Sequence, residues 1–125
     1  MELINIPGVP PPLGHYSPAV EAGGFVFVSG MLPSTDPEDA RRHDFEAQSR
    51  MVLARCEQVL VAAGCRLDQV VQSTVYVVGM DHWAAFNRIY KDMFGEHKPA
   101  RAVVPVPELH YGFLVEVTMT AWRGA

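Results

Sequence analysis

The spacing of apolar residues predicts two amphipathic helices. Between Asp44 and Ala63 the apolar side chains fall on one helical stripe, while Gln48 and most other polar side chains lie elsewhere, and Gly64 supplies a stop. In the second segment Asp81 can cap the helix and Gly95 can end it. The apolar face of this second helix consists of Trp83, Phe86, Ile89, Tyr90, Met93 and Phe94.

Runs with a period of two, or rich in β-branched residues, predict the strands. In SPAVEAGGFVFVSG, Gly23-Gly24 separates two short extended runs, which is typical of a two-residue hairpin. The run VVQSTVYVV at 70–78 is typical of a buried strand. Two further strands are predicted near the C-terminus, with PELHYG as the hairpin connection between them. Residues 7–14 contain four prolines and two glycines and predict an irregular, extended connection.

The predicted order of elements is strand, strand, helix, strand, helix, strand, strand. Helices at this spacing can both lie on one face of a mixed sheet, which predicts an α+β layer whose other face is uncovered. The chain has 125 residues, 49% of them hydrophobic, which suits one compact domain with a core. We therefore expect a single domain over residues 1–125.

Two charges interrupt the apolar runs of the last two strands. Glu116 alternates with a wholly apolar row, so it is predicted to point away from the helices. In the preceding strand Ala102, Val104 and Val106 are predicted to face the core, which would put Arg101 on the same helix-free face as Glu116. If PELHYG forms a hairpin, the two charges lie opposite each other or one diagonal step apart.

The helix-free face is predicted to carry more apolar surface than water would tolerate, including Leu114, Val103 and Trp122. We therefore expect another subunit to cover it, with Arg101 at the seam between chains. Two interpretations of Arg101 remain open on residue type alone. It forms a structural salt bridge at an oligomer interface, or it offers its planar guanidinium to a small carboxylate.

Charge and cysteine usage exclude several classes of function. A net charge of -4 with scattered Lys and Arg gives no general attraction for phosphate backbones, so we expect no nucleic-acid partner. Cys56 and Cys65 have no zinc-site spacing and are predicted to be reduced packing residues. The five histidines show no H-x₃-H spacing, and no glycine-rich loop fits a phosphate, so neither a metal nor another cofactor is expected.

Features of targeting and of other catalytic classes are also missing from the sequence. The start MELINIPG has no basic region followed by an apolar core, and no run reaches the roughly 18 apolar residues of a membrane span. We therefore expect a cytoplasmic protein without a membrane partner. Ser17 and Ser29 lack the G-x-S-x-G elbow of a nucleophilic serine.

Four stretches resemble, in order and in spacing, the RidA/YjgF family of enamine and imine deaminases. They are GHYSPAV (14–20), FVFVSGMLP (25–33), FNRIYKDMF (86–94) and PARAVVPVPELHYGFLVEV (99–117), and the resemblance covers nearly the whole chain. It implies a chorismate-mutase-like α+β fold, a mixed sheet with two helices on one face. It also implies assembly as a homotrimer with three sites in the clefts between adjacent subunits.

The resemblance implies three catalytic residues. Arg101 matches the arginine that grips the substrate carboxylate, Glu116 matches the glutamate that orients a water, and Tyr16 matches the tyrosine at the pocket. The implied reaction is hydrolysis of a 2-imino acid, in equilibrium with an enamine of the 2-aminoacrylate type, to a 2-keto acid and ammonia. An imine carbon is already electrophilic, so this chemistry needs no covalent nucleophile and no metal.

Further residues are implied to bind the substrate. Ser29 and Gly30 match a loop whose backbone N–H helps hold the carboxylate, Val103 matches a position of backbone contacts, and Asn87 matches a polar helix residue near the site. The sequence departs from the family pattern at His15, Met31, Val103 and His110, which indicates a bulkier or more apolar pocket.

Two alternatives to a 2-iminobutanoate/2-iminopropanoate deaminase stay open. One is a non-enzymatic trimer that binds small carboxylates as a sensor or regulator. The other is a pathway-specific deaminase of a larger enamine, which Met31 and Val103 would suit.

Overall fold

The computed structural model describes residues 1–124, which form a mixed sheet of six strands with its helices packed on one face. The elements are β1 (Glu2–Ile4), β2 (Ala19–Ala22), β3 (Phe25–Met31), α1 (Asp39–Arg42), α2 (Phe45–Ala62), β4 (Val70–Val77), α3 (Trp83–Phe94), β5 (Ala100–Pro105) and β6 (Val115–Trp122). The strands lie side by side in the order β1-β2-β3-β6-β4-β5, and β4 and β5 form the parallel pair. The α+β architecture predicted from the sequence is confirmed.

The two main helices of the described chain, α2 and α3, cover the same face of the sheet. The thiol of Cys56 in α2 donates to the carbonyl of Val117 in β6 at 3.9 Å. From α3, the hydroxyl of Tyr90 lies 2.6 Å from that of Ser73 in β4. Ser73 and Val117 belong to one buried row of the sheet, because Ser73 pairs with Met119 and Val117 with Val75. The core therefore lies between this row and the helices.

Locally determined elements agree with the sequence predictions. Gly23 and Gly24 form the two-residue turn between β2 and β3, with φ angles of 62° and 86° that suit glycine. The helix α2 ends just before Gly64, and both cysteines are buried free thiols. No helix within residues 1–124 combines the length and the apolar character needed to cross a membrane.

The side chain of Gln48 is fully buried, although the helical stripe predicted it to lie outside the core. Its amide donates to the carbonyl oxygens of His43 at 2.9 Å and Ala40 at 3.3 Å, and its own oxygen accepts from the backbone N–H of Leu114 at 2.8 Å. These bonds tie the start of α2 to the residue before β6. Burial is tolerated because each polar atom has a partner, which periodicity alone cannot reveal.

Two boundaries differ from the sequence predictions. The helix α3 begins at Trp83 with His82 at the cap position and no side-chain cap bond, so the predicted Asp81 cap is wrong; Asp81 lies in a short 3-10 turn, Met80–His82. The strand β1 was not predicted at all. It has three residues and pairs with β2, and so short a run carries no readable period.

The last two strands do not form the predicted hairpin. Strand β5 pairs with β4, whereas β6 pairs with β3 and β4, so β4 lies between β5 and β6. The connecting segment carries a 3-10 turn, His110–Gly112, in which Tyr111 adopts a left-handed φ of 62°. This topology changes which residues Arg101 and Glu116 can reach.

The face of the sheet opposite the helices, called here the open face, carries large apolar side chains that remain exposed. Phe25, Phe27 and Trp122 expose 40%, 48% and 51% of their surface, and Phe25 pairs directly with Trp122. The row also contains Thr74, Tyr76, Glu116, Thr118 and Thr120. Aromatic side chains in this number, on one side of a sheet, are typical of a surface that another molecule covers.

Candidate functional site

Arg101 lies on the helix-covered face of the sheet, so the prediction that it shares the open face with Glu116 is wrong. It pairs in register with Ser73, which is buried beneath α3. Its guanidinium carbon lies over the ring of Tyr90, 4.8 Å from the centroid, and 6.0 Å from the ring centroid of Trp83. The sequence could not decide this orientation because both rows of β5 contain apolar residues.

The guanidinium of Arg101 is partly buried and makes no ion pair or hydrogen bond within residues 1–124. The arginine ion pairs of this part of the chain use Arg41, Arg42, Arg66, Arg88 and Arg123 instead. The predicted salt bridge to Glu116 therefore does not form inside one chain. The planar fork of N–H donors stays available for an external anion.

Glu116 lies on the open face beside an unusual stretch of β3. Its neighbours Val115 and Val117 are fully buried beneath the helices, which turns Glu116 to the other side. The pairing of β3 with β6 shifts by one residue between Val28 and Met31. At this bulge a Cβ on Gly30 would lie only 2.6 Å from a carboxylate oxygen of Glu116, so glycine permits the close approach.

Burial shifts the pKa of the Glu116 side chain. Removal of water around the carboxylate raises the pKa of Glu116 above its usual range, and the nearby His110 partly opposes this by lowering it. The net effect is a carboxylate that holds a proton more readily than an exposed glutamate. Such a group is suited to exchange protons closer to neutral pH.

Ser29 holds the segment that carries Tyr16 against β3. Its hydroxyl donates to the carbonyl of Ser17 at 2.6 Å, and its backbone N–H donates to the carbonyl of Pro18 at 2.9 Å. The N–H of Ser29 is therefore engaged inside the chain. Of the predicted Ser29–Gly30 pair, Ser29 acts by holding the residues that follow Tyr16, whose own ring is exposed.

The remaining predicted residues lie on the side of Arg101. Val103 was predicted on the helix-free face, and this is wrong, because it pairs with the buried Val75 and packs partly buried against the core. Asn87 lies on α3 four residues after Trp83 and three before Tyr90, a spacing that places all three on one stripe of the helix. The sequence prediction assigned Trp83 and Tyr90 to the core and missed their contact with Arg101. The one sequence feature that could have indicated this contact is the helical stripe that they share with Asn87.

The predicted site residues thus fall into two groups on opposite faces of one sheet. The arginine half-site contains Arg101, Val103 and Asn87, and the glutamate half-site contains Glu116, Gly30, Ser29 and Tyr16. A single chain does not bring the two groups together. Met31, a position where the sequence departs from the family pattern, is 6% exposed and belongs to the core of the single chain.

Neither half-site resembles a metal centre. Among residues 1–124, no three His, Cys, Asp or Glu side chains lie close enough to hold one ion. The chemistry that the two groups offer is an anion contact from Arg101 and proton exchange at Glu116. The fold and these groups together define an α+β protein with a mixed six-strand sheet that carries Arg101 on one face and Glu116 on the other.

The comparisons with known proteins identify the family. The chain belongs to the RidA/YjgF/TdcF/RutC family, since the Endoribonuclease L-PSP family model matches residues 8–123. It is similar to a RutC family protein of Pyrococcus horikoshii, at 38% identity over 124 residues and 98% of each chain. It is also similar to the 3-aminoacrylate deaminase RutC of Acinetobacter baylyi, at 35% identity over 121 residues and 96% of each chain.

Solved structures show the same fold. RidA from an Antarctic Psychrobacter species is 32% identical with a TM-score of 0.87, covering 98% of this chain and 99% of that one. The Escherichia coli protein TdcF, crystallised with bound serine, is 27% identical with a TM-score of 0.87, covering 99% of this chain and 100% of that one.

Proposed function

We propose that this protein is a deaminase that hydrolyses 2-imino acids, in equilibrium with enamines of the 2-aminoacrylate type, to 2-keto acids and ammonia. The observation that carries the proposal is the guanidinium of Arg101, partly buried yet free of any ion pair within residues 1–124. A 35% identical relative is a 3-aminoacrylate deaminase, and TdcF has been solved with serine, a ligand that carries a small carboxylate.

The active site would form between subunits of a homotrimer. Arg101 and Glu116 lie on opposite faces of the sheet, so a joint site requires Arg101 from one chain and Glu116 from another. The exposed aromatic side chains of the open face support such a contact, because an adjacent subunit would bury them. The two half-sites would then face each other across the cleft.

Each residue would have a simple role in the reaction. Arg101 would hold the substrate carboxylate through two parallel hydrogen bonds, which fixes the imine carbon relative to the protein. Glu116 would orient the attacking water and accept its proton, a role worth about 10²- to 10⁴-fold in rate. Tyr16 would donate to the substrate nitrogen or order the water, with Ser29 holding its segment in place.

The non-enzymatic alternative and the deaminase both require a carboxylate at Arg101, so turnover must separate them. The assay couples the protein to a pyridoxal-phosphate threonine or serine dehydratase and follows keto-acid release from the imine product. Acceleration by the wild type, its loss in Arg101→Ala and a strong reduction in Arg101→Lys are expected, because an ammonium cannot bond in the bidentate manner. No acceleration with either amino acid would refute hydrolysis of these small imines and leave carboxylate binding or a larger enamine as the substrate class.

Mixing two inactive variants tests the shared site directly. When Arg101→Ala and Glu116→Gln chains are refolded together in equal amounts, each mixed trimer would have one site of three with both intact residues from different chains, which is about a quarter of all sites in the mixture. Activity near that fraction of the wild type is expected. A mixture that stays inactive, although native mass spectrometry shows mixed trimers, would mean that one chain supplies both residues or that the proposal is wrong.

A ribonuclease role, which the family description raises, has less support. The net charge of -4 gives the protein no general attraction for RNA. Strong RNA binding that weakens steeply with salt would overturn this view.

A further inference from the structure

Tyr90 connects the buried core to the guanidinium of Arg101. Its ring lies beneath the guanidinium carbon at 4.8 Å, and its hydroxyl lies 2.6 Å from the hydroxyl of Ser73. Ser73 is itself the strand partner of Arg101 in the β4–β5 register. Tyr90 and Ser73 are 6% and 1% exposed, so both are held by surrounding packing.

The contact with Tyr90 is one between a cation and an aromatic ring, with the guanidinium carbon 4.8 Å from the ring centroid. All five N–H donors of arginine lie in the plane of the group, and an aromatic ring offers them no oxygen lone pair to accept a hydrogen bond as a carboxylate would. A carboxylate of the protein would occupy the N–H donors of Arg101, whereas an aromatic ring leaves them unoccupied. The contact can therefore restrict the side chain while its hydrogen-bonding edge remains free.

We propose that Tyr90 is a positioning residue which, anchored through Ser73, holds the guanidinium of Arg101 in the orientation that receives the substrate carboxylate. The inference rests on the proposed function, because it assigns to Tyr90 a part in the carboxylate contact of that site. A free arginine side chain loses considerable rotamer entropy when it binds a ligand. A side chain already restricted by a ring loses less on binding, which tightens the complex.

The hydroxyl of Tyr90 distinguishes this arrangement from simple core packing. A phenylalanine would fill the same volume, as Phe86 and Phe94 do on the same helix. Burial raises the pKa of the Tyr90 phenol, so it stays neutral and keeps its bond to Ser73. That bond fixes the ring relative to β4, and thereby relative to the neighbouring strand that carries Arg101.

Binding of 2-oxobutanoate, a 2-keto acid product, measures the effect without requiring turnover. Tyr90→Leu is expected to raise the dissociation constant for 2-oxobutanoate roughly 5- to 30-fold, the factor that corresponds to the loss of a partly desolvated cation–π contact. Phe86→Leu is the matched control, since Phe86 is 1% exposed and packs 5.7 Å from Tyr90 without contacting Arg101. The control is expected to lose stability but to bind within about twofold of the wild type.

A double-mutant cycle separates positioning from general packing. In an Arg101→Ala background, Tyr90→Leu is expected to cause no further loss of binding, because it acts only through the arginine. An equal loss in both backgrounds, or equal losses in Tyr90→Leu and Phe86→Leu, would overturn the inference. If Tyr90→Leu does not fold, proton NMR of the wild type decides: an upfield ring-current shift of the Arg101 δ protons supports the contact, and its absence refutes it.

The outcomes also distinguish this inference from the proposed function. Binding of 2-oxobutanoate with the expected Tyr90 effect, but without imine turnover, would refute the deaminase and leave the positioning role intact. Turnover and binding that are insensitive to Tyr90→Leu would refute only the positioning role. A wild type that binds no 2-oxobutanoate would overturn both.

Discussion

The substitution Gly30→Ala tests whether turnover depends on the position of the Glu116 carboxylate. A Cβ at this position would lie 2.6 Å from Oε2 and 3.3 Å from Cδ of Glu116. Since ordinary contact begins near 3.4 Å, the carboxylate must retreat by about 0.8 Å, and displacements near 1 Å can cost on the order of 10²-fold in rate. The obstacle is the mobile end of a side chain, and the φ of Gly30 is not in the left-handed region, so stability should change little.

The experiment compares Gly30→Ala with Gly79→Ala in the coupled dehydratase assay and in thermal denaturation at equal protein concentration. Gly79 has a φ of 85° and a ψ of 131°, and a Cβ added there would meet nothing within 4 Å, so alanine costs about 1–3 kcal/mol of backbone strain and touches no site residue. Gly79→Ala should lower Tm by several degrees and retain turnover. Gly30→Ala should retain Tm and lose about 10²-fold in turnover.

Two results would refute this reasoning. Wild-type turnover in Gly30→Ala would show that the position of the Glu116 carboxylate does not matter. A loss of turnover that is no larger than in Gly79→Ala, at a similar fall in Tm, would show that the glycine serves stability only. A further loss when Gly30→Ala is added to Glu116→Gln would mean that the alanine acts on something besides Glu116.

Three other predictions concern single groups. Because burial raises the pKa of Glu116, turnover should fall on acidification at a pH above the usual glutamate range. The substitution His110→Ala removes a group that lowers this pKa, so it should move the acid limb of the pH–rate profile to higher pH. Gln48→Ala leaves the N–H of Leu114 without its partner, and should lower the free energy of unfolding in urea by about 1–3 kcal/mol. Desolvation raises the pKa of Cys56 to about 12, so a thiolate-directed reagent at pH 8 should label this residue only as the protein unfolds.

Features set by neighbouring residues were readable from the sequence, and features set by distant pairing were not. The Gly23-Gly24 turn and the stripe of α2 follow from local conformational preference and from one helical period. The prediction of a hairpin between β5 and β6 was wrong because consecutive strands pair often but not always, and in this sheet β4 lies between them. Nothing in PELHYG reports which strand lies beside β5.

The predicted orientation of Arg101 was wrong for a related reason. In β6 one row is wholly apolar and the other mixed, so alternation fixed the face of Glu116 correctly. In β5 both rows contain apolar residues, and only the register with Ser73 decides which one faces α3.

The placement of the two charges bears on why this chain could keep an unpaired arginine. A guanidinium and a carboxylate on the same face would neutralise each other, and breaking such a buried pair typically costs about 3–5 kcal/mol. Here the sheet separates them, and Arg101 is held by the face of Tyr90, a contact worth about 0.5–2 kcal/mol. The smaller contact leaves the donors of Arg101 unused. A ligand carboxylate therefore need not displace a protein partner in the same chain, which is the condition that a small anion site on this sheet must meet.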